Sequence, residues 1–410
     1  LRHGYSQNKF LKKMTTQTKL NIGLFGYGVV GKGFYKLTQL HPELGIHTQE
    51  IVAKNPENHK YHALKQLSYN AKDILGNNNL KTVVEVIDNS IDAFDIATQV
   101  LTRGNTLVSA NKKMIAENFD ALYALLKLKG GRLFYEASTA ASIPIIKLLD
   151  EYFANERIQL VEGILNGTSN YILSGIFNHN LTYNQALNQA KELGFAESNP
   201  ILDVEGLDAL NKLIIINAHA FGVIVKPNEV FSYGITLINE EDILFAKANN
   251  FVIKQVAHAS TKVHDKLLLY VAPQFVSNSS QLFGVNNENN GIVVNAEYSG
   301  QQFYYGKGAG SKPTGAAVLA DVLSSKQKKS YNYTKLKQRN FIRYELEQEI
   351  AIYIRYPKAL DISRLAIKGK EHFISENDYT VIGNVSLTNL LKHKDWLKEQ
   401  KVSIICYNQF

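Results

Sequence analysis

Leu20-Asn21-Ile22-Gly23-Leu24-Phe25-Gly26-Tyr27-Gly28-Val29-Val30-Gly31 reads as a strand that runs through a glycine turn into a helix. The first six residues are an apolar run of strand length, and residues 29–40 carry apolar spacing that suits a helix. Between them Gly26, Gly28 and Gly31 form a G-x-G-x-x-G pattern in the context that a dinucleotide fingerprint requires. The first glycine permits a tight turn, the second lets a pyrophosphate approach the backbone, and the third lets helix and strand pack closely. The helix start adds N–H donors and positive potential. Gly26, Tyr27, Gly28, Val29, Val30 and Gly31 are therefore candidate nucleotide-binding residues.

Beyond the turn, strand-like runs at 50–53, 82–87, 106–109 and 132–136 are separated by helix-like segments at 93–102 and 118–129. Such alternation predicts a parallel sheet covered on both faces. Helix-favouring sequence dominates 143–225, whereas 254–303 is strand-rich, most clearly at 267–271 and 292–294. A tail follows, with strands expected at 349–356, 378–386 and 402–406 and a helix at 390–399. The expected fold class is α/β: a Rossmann-type doubly wound parallel sheet, a second α+β domain and a small C-terminal α+β unit.

Composition narrows the function classes. The 410 residues allow two or three domains with a sizeable core, and 45% hydrophobic with 20% charged residues is ordinary globular usage. The longest apolar stretch, 213–225, is interrupted by Asn217 and His219 and is too short to cross a bilayer, so no membrane partner is expected. Cys406 is the single cysteine, which excludes an intrachain disulfide and fits a reducing cytoplasm. The net charge of +8 is partly confined to Arg2, Lys9, Lys12 and Lys13 and to six basic residues within 326–339. These lack the aromatic interleaving of RNA modules, so no nucleic-acid partner is expected. The first Met is residue 14, and residues 1–18 read as a disordered or upstream extension without the apolar core of a signal peptide.

The end of the second strand bears on cofactor choice. Ile51-Val52-Ala53-Lys54-Asn55 carries no carboxylate for the ribose hydroxyls of NAD, so Lys54 favours NADP, with use of both left open. A denser group of charges lies at 197–212, ESNPILDVEGLDALNK. A helix over 206–220 puts Asp208 and Lys212, four apart, on one face, where the carboxylate can orient the ammonium. Glu197, Asp203 and Glu205 precede them, and Leu207, Leu210 and the apolar 213–216 flank them. Charges beside a buried stretch cost free energy unless paired or used.

These blocks resemble the homoserine dehydrogenase family. The matching stretches are GLFGYGVVGKG, Val108-Ser109-Ala110-Asn111-Lys112-Lys113, Tyr135-Glu136-Ala137-Ser138, GILNGTSNYIL at 163–173, the 193–213 block and YGKGAGSKPTGAAVLADV at 305–322. The resemblance implies reversible NAD(P)-dependent interconversion of L-homoserine and L-aspartate 4-semialdehyde, on the route to threonine, methionine and isoleucine. It implies Lys212 as general acid and base, Asp208 as its orienting partner, and Lys112 between nicotinamide and substrate oxygen. Glu197 and Asp203 would bind the substrate's amino acid end, while Ser90 and Gly308 would contact the cofactor. Glu136, with backbone carbonyls of Thr139, Ala141 and Ile143, would bind a monovalent cation such as Na⁺. A homodimer is implied as well. The glycine turn lies within thirty residues of the start, so no preceding aspartate kinase domain is expected.

The implied division is 19–142 for nucleotide binding, 143–307 for substrate binding and dimerisation, 308–325 as a helix returning to the first domain, 326–340 as a basic linker, and 341–410 as an ACT-like or divergent regulatory unit. Three departures stand out. Thr139-Ala140-Ala141-Ser142 replaces a commonly glycine-rich run, and Cβ atoms there restrict positive φ. Glu197-Ser198-Asn199-Pro200 loses one carboxylate of the usual Glu-Ala-Asp-Pro, and Arg355-Tyr356-Pro357-Lys358-Ala359 lacks the glycine of an ACT turn. Another NAD(P)-dependent amino acid semialdehyde reductase would have no reason to keep Lys112, Glu197, Asp208 and Lys212 together. A non-catalytic NAD(P)-sensing protein would tolerate their loss. His219 reads as a core or interface histidine, and Trp396 as a packing residue.

Overall fold

The computed structural model describes residues 19–59, 64–261, 265–338, 342–374 and 378–407, so the expected extension at 1–18 lies outside the described residues. The chain divides into two compact units. The first comprises described residues up to Met114, Ala121–Ala137 and Gly310–Tyr331; the second comprises Ile115–Asp120, Ser138–Ala309 and Asn332 onward.

In the first unit, β1 (Leu20–Phe25), β2 (Ile46–Val52), β3 (Leu67–Ser68), β4 (Thr82–Glu85), β5 (Thr106–Ser109) and β6 (Arg132–Phe134) form a parallel sheet in the order β3-β2-β1-β4-β5-β6. This is the doubly wound order, and it reverses between β1 and β4, where the crevice beyond the strand ends receives ligands. Ile22, Leu24, Val84, Leu107 and Val108 are fully buried, as expected of strands covered on both faces. β2 begins four residues earlier than its apolar run suggested, because polar His47 and Gln49 interrupt the apolar signal. β4 and β6 end two residues early: the chain leaves β6 into a 3-10 turn, Glu136–Ser138. The helix Ser311–Lys326 lies against the helix Val29–Leu40, and small residues allow it. A Cβ on Gly33 would stand 2.2 Å from the Ser311 carbonyl oxygen, and one on Gly315 would stand 2.7 Å from the Phe34 nitrogen.

The second unit is built on a mixed sheet. Its members are β7 (Ile158–Ile164), β8 (Phe231–Ser232), β9 (Phe251–Thr261), β10 (Lys266–Ser277), β11 (Asn289–Ala296), β12 (Gly300–Lys307), β13 (Arg343–Tyr344), β14 (Glu349–Pro357), β15 (Lys368–Ile374), β16 (Asp378–Ser386) and β17 (Ser403–Cys406). The order is β12-β11-β7-β9-β10-β17-β14-β16-β15, with β8 and β13 also paired to β10. β7 is a strand within the region read as helical. Its neighbours β9 and β11 pair with it antiparallel on both sides, and that tertiary pairing overrides the local preference. β15 was also not anticipated, since KGKEHFI is largely polar.

The tail shares its sheet and its core with the rest of the second unit. β17 pairs with β10 at Cys406 and Gln274, and Ile352, Ile404 and Leu390 share a core cluster with Phe231, Tyr270 and Ala272. Arg355 of β14 is buried and ties the tail to the helix Glu240–Ala248. Its guanidinium donates to Asp242 at 2.9 and 3.1 Å, to Asp378 at 2.7 Å and to the Leu237 carbonyl at 2.8 Å. His219 and Trp396 take packing positions. His219 is buried, stacks on Tyr333 and lies 3.3 Å from Asp150, while Arg364 covers the Trp396 ring at 4.2 Å. No helix among the described residues is long and apolar enough to cross a membrane.

Candidate active site

The glycine turn has the form the fingerprint requires. Gly26 adopts φ +97°, and a Cβ there would lie 2.7 Å from the Val86 carbonyl oxygen; one on Gly31 would lie 2.0 Å from the Gly26 carbonyl oxygen. Gly28 differs, since a Cβ there would meet nothing within 4 Å, leaving the backbone open to an approaching group. Gly28 is the N-cap of the helix Val29–Leu40, with no side-chain cap and no acidic residue in the first turn. A helix start with no side-chain cap and no acid, behind a glycine with room at its Cβ position, fits the pyrophosphate of a dinucleotide. Tyr27 is buried beside Tyr35, and Lys54 is exposed just past β2, 3.6 Å from Asp92.

Two further turns end at the same edge of this sheet. Asn89 caps the helix Ser90–Thr102 by accepting from the Ile91 and Asp92 N–H groups, which places Ser90 first in that helix. Asn111 donates to the Ile87 carbonyl at 3.0 Å and accepts from the Met114 N–H at 2.9 Å, which sets Lys112 at the start of the helix Lys112–Glu117. Beneath this turn Glu85 is fully buried, accepting from Ser109 Oγ at 2.5 Å and Ile87 N at 2.8 Å. Burial pushes its carboxyl up to about 7 despite those two hydrogen bonds.

In the second unit the carboxylate and lysine block is assembled around the end of β7. Gly206 sits at φ +78°, a left-handed N-cap that suits glycine, and launches the helix Leu207–Phe221. On that helix Asp208 and Lys212 are both 6% exposed, and Lys212 Nζ lies 2.8 Å from Asp208 Oδ2. The same ammonium donates to the Leu165 carbonyl at 2.6 Å. Asn166 Nδ2 bridges two carboxylates, donating to Asp203 at 2.7 Å and to Asp208 at 2.9 Å, while its Oδ1 accepts from the Ser169 N–H. Burial, then the neighbouring Asp208 charge, raise the Asp203 carboxyl above its ordinary value. Lys212, Asp208 and Asp203 are thus brought together, whereas Glu197 is exposed in the loop before the short helix Ile201–Val204 and stands outside this hydrogen-bonded group.

Two asparagines of this group carried no assignment from sequence. Asn166 lies in the quoted NGTSNYIL block, and its signal was available as an N-cap before a helix. Asn290 is fully buried and donates to the Leu165 carbonyl at 3.1 Å, the acceptor it shares with Lys212. Gly308 packs on it: a Cβ at Gly308 would overlap the Asn290 amide at 2.0 Å, which accounts for glycine there. Glu136 is buried in the first unit, its N–H donating to Asp321 at 2.9 Å. In the second unit Thr139, Ala141 and Ile143 follow in a buried loop where Ala141 takes φ +43°, so the left-handed turn is made despite its Cβ. Among the described residues no group of three or more His, Cys, Asp or Glu side chains gathers around a metal position.

A doubly wound sheet with this turn, and a buried lysine held by a carboxylate, suit an NAD(P)-dependent oxidoreductase acting on a CH–OH group. The homoserine dehydrogenase family model matches residues 144–323. The chain is 34% identical over 319 residues to the homoserine dehydrogenase of Helicobacter pylori, covering 76% of this chain and 75% of that one. The crystal structure of a homoserine dehydrogenase from Thiobacillus denitrificans matches with a TM-score of 0.82 at 26% identity, over 96% of this chain and 99% of that one. A hyperthermophilic archaeal homoserine dehydrogenase in complex with NADPH shares the fold, with a TM-score of 0.66 at 23% identity over 76% and 98% of the two chains. The chain belongs to the homoserine dehydrogenase family. Its activity is the NAD(P)-dependent interconversion of L-homoserine and L-aspartate 4-semialdehyde in amino-acid biosynthesis, and the two rival readings are not favoured.

Proposed function

We propose that Lys212 is the proton donor and acceptor of this reaction, oriented by Asp208. The observation that carries it is the buried ammonium of Lys212, fixed between Asp208 Oδ2 at 2.8 Å and the Leu165 carbonyl at 2.6 Å. The nicotinamide, when bound, supplies or accepts the hydride at carbon. Addition of hydride to an aldehyde leaves negative charge on oxygen, which the Lys212 ammonium neutralises by giving up a proton. In the oxidative direction its neutral amine takes the hydroxyl proton back. Lys112 adds a second positive charge for the substrate oxygen. Asp203 and Glu197 accept hydrogen bonds from the ammonium of the amino acid end. Replacing Lys212 by Ala is expected to lower turnover by about 10²- to 10⁴-fold while nucleotide affinity holds. Turnover within a few-fold of the parent would remove Lys212 from this role.

Gly26, Tyr27, Gly28, Val29, Val30 and Gly31 hold the dinucleotide in this reading, with Ser90 and Gly308 as further contacts. NADP is preferred, because Lys54 is the exposed cation past β2 and that strand end carries no acid. A monovalent cation such as Na⁺ is assigned to Glu136 with the carbonyls of Thr139, Ala141 and Ile143. A carboxylate with backbone carbonyl oxygens is a hard-ligand set that suits a hard cation. Residues 19–142 bind nucleotide, 143–307 bind substrate and dimerise, 308–325 return to the first domain, 326–340 link, and 341–410 form the C-terminal unit. A homodimer agrees with the place of β12 at the end of the strand order among the described residues, where Tyr305 is exposed. A cytoplasmic location agrees with Cys406 as a buried free thiol.

A further inference from the structure

We propose that Lys398, in the C-terminal helix Lys394–Glu399, is a positioning residue of the active site. It holds the Glu205 carboxylate, and with it the turn that launches the helix bearing Asp208 and Lys212. The proposal rests on the roles given to that pair above.

Glu205 closes the short helix Ile201–Val204 and directly precedes Gly206, the left-handed N-cap of the helix Leu207–Phe221. It stands between Asp203 and Asp208 in sequence, so a shift of Glu205 shifts the flanking carboxylates. Both of its oxygens are engaged. Oε1 accepts from Thr236 Oγ1 at 2.9 Å, and Oε2 accepts from Lys398 Nζ in an ion pair that is 18% exposed at Glu205 and 31% at Lys398.

The segment 232–236 forms the other half of the clamp. Ile235 N donates to the Val204 carbonyl at 2.8 Å, and Gly234 sits so close that a Cβ would stand 2.8 Å from Glu205 Cα. The C-terminal unit also reaches this segment at two other points. Lys394 Nζ donates to Ser232 Oγ at 2.8 Å, and Tyr233 donates to the Val402 carbonyl at 2.7 Å. An isolated surface pair contributes little because both partners are solvated and free to move. Here the carboxylate is pinned on its other side and sits one residue from a helix start, so its cation acts on the geometry of the turn.

The test uses the full chain with Lys398→Ala, Lys398→Arg, Glu205→Gln and the Lys398→Ala/Glu205→Gln double variant, and Lys212→Ala as a control. The readouts are kcat and KM for L-homoserine, NADPH affinity by fluorescence titration, and melting temperature. Lys398→Ala is expected to lower kcat about tenfold through misplacement of the pair, with NADPH affinity unchanged. Arginine should restore kcat to within about twofold, and the double variant should be no slower than Glu205→Gln, because the two residues act through one contact. A Lys398→Ala kcat within twofold of the parent, a loss that arginine leaves unrestored, or additive losses in the double variant would overturn the proposal. Normal turnover in Lys212→Ala would instead overturn the reading of the site on which it rests.

Discussion

Replacing Asn166 with Ser tests whether the site depends on a single amide that bridges two carboxylates. Asn166 Nδ2 donates to Asp203 at 2.7 Å and to Asp208 at 2.9 Å, and its Oδ1 caps the helix Gly167–His179. Serine keeps a capping oxygen, so the cost of losing a cap, about 1 kcal/mol, is largely avoided. Its shorter side chain cannot span both carboxylates. Each hydrogen bond to a charged group contributes about 1.5–3 kcal/mol, and water recovers part of it, so a net loss of about 1.4 kcal/mol at Asp203 is a reasonable scale. That corresponds to about one pH unit. Burial and then Asp208 already raise the Asp203 carboxyl, and the Asn166 hydrogen bond opposes them, so its removal raises the carboxyl further. The acidic limb of kcat/KM for L-homoserine should therefore move to higher pH by about one unit, with kcat/KM lower by about tenfold on that limb and little changed at pH values well above it. With that carboxyl's folded value further above its unfolded one, the variant protein loses more stability as pH rises through that window. The assay is cofactor reduction at 340 nm across pH, beside melting curves at the same pH values. An acidic limb that stays in place, or moves to lower pH, would refute the bridging argument.

Two further outcomes follow from charges in the first unit. Lys54→Glu should weaken NADPH binding more than NADH binding, because the added carboxylate repels a 2′-phosphate and can accept from ribose hydroxyls; equal loss in fluorescence titrations would mean that Lys54 does not face the phosphate. Glu85 is fully buried and pushed up to about 7 from an ordinary 4.5, so the wild-type protein loses stability as pH rises between those values, by about 3 kcal/mol in all. Glu85→Gln removes that slope, and urea unfolding at pH 5 and pH 8 should show its advantage growing toward pH 8; an advantage independent of pH would refute the assignment.

Much of the first unit was legible because its signals are local. The turn at Gly26, Gly28 and Gly31 and the apolar strand runs predict the sheet that is found, in the order expected of a doubly wound fold. The Asp208 and Lys212 pair was legible for the same reason, since a spacing of four on a helix defines one face. β7 was not legible: Ile158–Ile164 becomes a strand because β9 and β11 flank it, and the strand in turn delivers Leu165 and Asn166 to the site.

Residue type and short-range spacing thus established the nucleotide turn and the helix that carries the lysine. Long-range pairing settled which groups hold that lysine and its carboxylates. Asn166 and Asp203 lie 37 residues apart, Leu165 and Lys212 lie 47 apart, and Glu205 and Lys398 lie 193 apart. Such contacts depend on sheet order and helix packing, which bring distant backbone within about 3 Å. Sequence periodicity registers only neighbours within one turn or one pleat, so it carries no trace of those partners.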